Sequence, residues 1–139
     1  MKTTAACLLT AFLCLLFPLS SPALMSIGPL DKATAKQWGI ELRVTESGPE
    51  NAWVELTFAP EGKLEHFAHV SMEIHDGGRL LVGYTALKEY RKDGKVVVRF
   101  MAGRGILDKI TLRIVTGDPG NYSGNDLAVK DFLPIEITK

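Results

Sequence analysis

Residues 69–86 read HVSMEIHDGGRLLVGYTA. Val70, Met72 and Ile74 are apolar, and His69, Ser71, Glu73 and His75 between them are polar. That is a period of two, the repeat of a strand with one buried face. Gly77-Gly78 suits a tight hairpin, because glycine takes positive φ without steric cost. Leu80, Val82, Tyr84 and Ala86 then resume the alternation on the way back. The stretch predicts two strands, not a helix. A helix through Phe67–His75 would bring the three histidines of this region within reach of one another.

The same period extends in both directions. Trp38, Ile40, Leu42 and Val44 alternate with polar or small residues, and Ala52, Val54, Leu56 and Phe58 alternate with Trp53, Glu55 and Thr57. Val96, Val98 and Phe100 follow, then Ile110, Leu112 and Ile114, then Leu133, Ile135 and Ile137. Seven strand candidates result. Asp93-Gly94 reads as a second tight hairpin, while Ser47-Gly48-Pro49, Ala59-Pro60-Glu61-Gly62 and Gly117-Asp118-Pro119-Gly120 read as looser connections. Only Asp31–Lys36 looks helical, with Asp31 as its N-cap.

Seven short amphipathic strands cannot each bury a face alone, and two sheets packed face to face solve that. The expectation is an all-β, antiparallel two-sheet β-sandwich of about seven strands, immunoglobulin-like or fibronectin-III-like in architecture. The Cys…Trp…Cys pattern of true immunoglobulin domains is absent. A jelly-roll-like or prealbumin-like sandwich, or a small closed barrel, are the alternatives. The sandwich is assigned to 38–139, after a lead-in over 24–37.

Residues 1–23 read as an export signal. Lys2 precedes an apolar run from Ala5 to Leu19, and Ser21-Pro22-Ala23 offers small residues for cleavage. The run is shorter than a membrane-spanning helix and contains Pro18. The expected location is secreted or periplasmic, with no transmembrane anchor after cleavage. Cys7 and Cys14 both lie in this segment, so the mature chain would carry no thiol. Cysteine nucleophiles, cysteine-ligated zinc and disulfides are thereby excluded from it.

Charge is unevenly distributed. Residues 24–78 carry four basic and nine acidic side chains, whereas 79–113 carry nine basic and three acidic. The basic stretch suggests a face for an acidic glycan, a lipid headgroup or a protein partner, built from Arg91, Lys92, Lys95 and Arg99. The competing explanation is that acidic early strands pair with basic central ones across the sheet. Trp53 is out of phase with the apolar set around it and is a candidate platform for a sugar or a partner. The near-neutral total and the export signal argue against nucleic acid.

Other chemistry is sparse. GDPGNYSGND, residues 117–126, reads as a polar loop in which Asp118, Asn121, Asn125 and Asp126 are candidate calcium ligands. No other cofactor is indicated. Asn121-Tyr122-Ser123 is a glycosylation sequon. His66, His69 and His75 cluster in sequence, but on a strand His69 and His75 stand about 20 Å apart, too far to share a metal. Ser71 lies between His69 and Glu73, yet neighbours two apart on a strand are about 6.6 Å apart, beyond a nucleophile–base hydrogen bond. No GxSxG, HExxH or phosphate loop occurs. The expected function is a non-enzymatic binding or interaction module. A small hydrolase with a His/acid site, or a structural accessory subunit, are the alternatives. An exposed apolar strip or unprotected sheet edge would favour the last.

Overall fold

Alternation along the chain is realised as two layers. A computed structural model describes residues 25–133. The elements are β1 (Ser26–Pro29), α1 (Lys32–Gln37), β2 (Glu41–Glu46), β3 (Asn51–Phe58), β4 (Phe67–Asp76), β5 (Arg79–Ala86), β6 (Glu89–Lys92), β7 (Lys95–Gly103), β8 (Ile110–Asp118) and β9 (Asn121–Ala128). Short 3-10 turns span Gly62–Leu64, Arg104–Lys109 and Val129–Phe132. One sheet has the order β1-β9-β8-β4-β5 and the other β2-β3-β7-β6. This is the expected two-sheet sandwich.

Hairpins stay within a sheet, and the links β1–β2, β3–β4, β5–β6 and β7–β8 cross between sheets. The alternating apolar residues meet in the middle. Val54, Leu56 and Phe58 of β3 and Val96 and Val98 of β7 face Val70 of β4 and Ile110, Leu112 and Ile114 of β8, all buried. Phe58 meets Phe67 edge to face at 5.1 Å between centroids. Leu30, Ala35, Ile40, Leu64, Leu107 and Val129 close the ends of this core. The hairpin tips behave as their sequences dictate. Gly77 and Gly78 have φ of 55° and 81°, and Asp93 and Gly94 have 51° and 76°, the left-handed pairs a two-residue hairpin needs.

Four expectations are corrected. The sandwich is not purely antiparallel, because β1 pairs parallel to β9, Ser26 opposite Ser123 through Pro29 opposite Asp126. The lead-in therefore contains a strand, and α1 follows it. Asp31 does cap α1, accepting from the Thr34 N–H at 2.7 Å. Trp38 caps the C-terminal end of this helix and does not begin a strand. Residues 117–126 are not a loop: β8 runs to Asp118, and β9 begins at Asn121. Poor strand formers are recruited here because β9 has a partner on each side, β8 and β1, so pairing overrides propensity. Finally, Glu89–Lys92 forms a short edge strand on β7. The strand expected over 133–138 lies, beyond Leu133, outside the described residues.

Candidate ligand-binding face

The side chains left over by core packing on β2, β3, β7 and β6 make one continuous outer face. Register places Trp53 opposite Met101, Glu55 opposite Arg99 and Thr57 opposite Val97. It also places Tyr90 opposite Val97 and Lys92 opposite Lys95. The Arg99 guanidinium lies over the Trp53 indole at 4.4 Å, and the Lys88 ammonium lies 5.2 Å from the Tyr90 ring. Trp53, Glu55, Tyr90, Lys92, Val97 and Arg99 line a shallow cleft of about 380 Å³. A second hollow of about 390 Å³ shares Glu55, Lys92 and Val97 with it and continues to Glu41, Arg43 and Lys95. The two form a single trough across the sheet, with aromatic walls at one end.

Ion pairing separates the basic residues into two groups. Arg104 pairs with Glu46, Lys109 with Asp76 at 3.2 Å, and Arg113 with Glu73 and Asp126. Cross-sheet compensation thus accounts for these three. Lys88, Lys92, Lys95 and Arg99 have no carboxylate oxygen within 4.0 Å among the described residues. Lys92 and Lys95 moreover face each other directly, an arrangement that costs stability.

Four of the five residues singled out from sequence, Trp53, Lys92, Lys95 and Arg99, share this face. Arg91 does not. It is opposite Val96, a core residue, and its guanidinium covers the Phe67 ring at 5.5 Å. Lys88 and Tyr90 belong to the face and escaped the sequence reading. Their signal was the alternation Lys88, Tyr90, Lys92, too short to stand out from a turn.

The expected calcium ligands do not converge. Asp118 and Asn121 pair at the tip of the β8–β9 hairpin, whereas Asn125 and Asp126 lie further along β9 opposite Ile114 and Arg113. Asp126 is already engaged, accepting from Arg113 Nε at 2.6 Å and Nη2 at 2.9 Å. Among the described residues no group of three or more His, Cys, Asp or Glu is placed to hold a metal ion.

The opposite outer face, on the five-stranded sheet, carries the histidines. His69 hydrogen-bonds the Tyr84 hydroxyl, and His75 Nε2 lies 3.1 Å from Glu73 Oε2. His66 sits in the preceding turn, where its carbonyl accepts from the Gly117 N–H at 2.7 Å. Ser71 is fully buried, and its hydroxyl has no hydrogen-bond partner among the described residues. Beside it Arg113 bridges three strands, donating to Asp126 of β9 and to Glu73 of β4 at 3.0 and 3.4 Å. The Asp126 carboxylate, chiefly, raises the guanidinium above its ordinary pKa. The arginine stem lies across Gly124, where a Cβ would come within 2.9 Å of Arg113 Cδ. With both carboxylates claiming the guanidinium, this cluster reads as a strand clamp and not a ligand site.

No protein-family model matches the sequence, and no curated protein matches it at a significant level. Geometry alone therefore carries the functional assignment.

Proposed function

We propose that the protein is an exported, non-enzymatic binding module of immunoglobulin-like architecture, and that the outer face of its four-stranded sheet holds an acidic carbohydrate. The observation that carries this is the grouping of Lys88, Lys92, Lys95 and Arg99, without carboxylate partners among the described residues, around Tyr90 and Trp53. Aromatic rings offer a sugar its apolar face, and flanking cations answer its carboxylates or sulfates. Glu55 in the floor of the cleft supplies an acceptor for sugar hydroxyls. A trough across a sheet suits an extended polymer better than an enclosed small molecule.

Strand order supports the immunoglobulin-like assignment. β2-β3-β7-β6 follows the A-B-E-D order of one immunoglobulin sheet, and β9-β8-β4-β5 follows G-F-C-C′ of the other. Residues 1–23 act as the export signal in this reading.

Retention on an immobilised acidic polysaccharide tests the proposal. Reversing Lys92, Lys95 and Arg99 to Glu is expected to abolish retention, and Trp53→Ala to weaken it. Arg91→Glu, on the other side of β6, is the control and is expected to change little. Equal retention of the triple variant and the parent would remove the proposal. Retention should also fall steeply with added salt, as screening of exposed charge requires.

A further inference from the structure

Among the described residues four strands end a sheet, and three of them are short, proline-bearing or charged, features that discourage strand addition. β1 has only four residues and contains Pro29, β2 carries Glu41, Arg43 and Glu46, and β6 carries Arg91 and Lys92. β5 is different. All eight of its residues, RLLVGYTA, are exposed, and its only charge is Arg79 at the first position. Leu80, Leu81, Val82 and Tyr84 are 52, 49, 40 and 49% exposed. Together they make an exposed apolar stretch along an edge strand, the arrangement that invites pairing with another strand.

We propose that β5 is a subunit interface that takes β5 of a second copy, antiparallel about a two-fold axis through Val82. The facing of its side chains selects this occupant. Register with β4 puts Arg79, Val82 and Thr85 on the core side, opposite Asp76, Ile74 and Met72. It puts Leu80 and Ala86 on the outer side, opposite His75 and Ser71, and Tyr84 joins them by its bond to His69. Read outward from Val82, that order is the same in both directions: outer at Leu80 and Tyr84, core side at Arg79 and Thr85. Two antiparallel copies therefore match face for face. Leu80 of each meets Tyr84 of the other, Arg79 meets Thr85, and the two valines meet at the axis. The like charges of the two Arg79 residues fall at opposite ends. An unrelated charged strand would not meet this pattern.

Two register shifts in the β4–β5 pairing, between Met72 and Ile74 and between Ile74 and His75, twist this edge and make it less receptive to a long backbone ladder, so the join rests on side chains. A join through one eight-residue strand is small, in the class of transient interfaces, and the dimer is expected to dissociate with a Kd of roughly 10–100 µM. This interface lies on the sheet opposite the glycan face and stands or falls independently of it.

Sedimentation velocity on a dilution series of the purified protein, between about 1 and 500 µM, spans that range. Expected is a reversible monomer–dimer equilibrium, with Val82→Lys raising Kd at least about tenfold by setting two ammonium groups together at the axis. Val82→Cys should cross-link copies under mild oxidation far faster than Ile27→Cys, a somewhat more exposed position on β1. Near-ultraviolet circular dichroism checks that the variants keep their fold, and the cysteine pair reads the same register without a charge. A protein that stays monomeric throughout the series overturns the proposal, as does equal cross-linking at positions 27 and 82. A monomer that binds zwitterionic phosphatidylcholine vesicles through the same residues overturns it too, in favour of a lipid surface.

Discussion

Arg113 shows how one side chain can fix three strands. It has 9% of its surface exposed, and its donors are divided between Glu73 and Asp126. Removing the guanidinium would leave two half-buried carboxylates facing each other, the situation in which breaking an ion pair costs most. Arg113→Met is therefore expected to lower unfolding free energy by about 2–4 kcal/mol, read from urea denaturation. Gly124→Val should produce some of that loss by pushing the arginine stem off β9. Ser71 is buried beside this network, and its hydroxyl has no hydrogen-bond partner among the described residues. Its isolation was legible in the sequence, since strand spacing alone keeps residues 69, 71 and 73 apart. The network was not legible, because Asp126 looked like a loop residue until β8 and β1 enclosed it.

At the scale of elements, α1 depends on its first residue. The Thr34 N–H donated to Asp31, above all, holds that carboxyl below the usual carboxylate range. A depressed folded pKa contributes stability that is present above the unfolded value, about 3.9, and is lost as pH falls through the folded value. Amide exchange at Ala35 and Trp38 should thus accelerate selectively as pH is lowered from 5 to 2, after correction for intrinsic rates. Asp31→Asn should flatten that dependence while keeping the cap.

The alternation that revealed β2, β3, β4, β7 and β8 works because each of these strands turns one apolar face to the core, whereas β5 shows the same alternation with all eight residues exposed. β1, β6 and β9 escaped it for three physical reasons. β1 has four residues and little buried surface, β6 is mostly charged, and β9 buries chiefly Gly124 and Leu127. Parity carries more than the alternation of apolar residues does. Lys92 and Lys95 flank a two-residue hairpin and must share a face, which sends Arg91 to the other.

For the molecule as a whole, the uneven charge along the chain resolves into two arrangements. On the five-stranded sheet and at the ends of the sandwich, opposite charges meet as Arg113–Glu73, Arg113–Asp126, Lys109–Asp76 and Arg104–Glu46. On β6 and β7 they do not meet, and the surplus is positive. Neither outcome could be chosen from sequence, because each depends on register. The proposed export carries a testable expectation. The secreted product should begin near Leu24, as read by intact mass, so that Ser26–Pro29 survives. A product beginning beyond Pro29 would lack the strand that covers β9 and should aggregate.

The parallel contact between β1 and β9 also has a mechanical side. Ser26 at the start of β1 lies beside Ser123, and Pro29 at its end lies beside Asp126. Tension applied to the two ends of the described chain draws these strands past each other lengthwise, so their hydrogen bonds share the load and fail together. A hairpin such as β8–β9, pulled open from its free ends, would unzip bond by bond. The four residues at the edge of the sheet thus act as a latch against stretching.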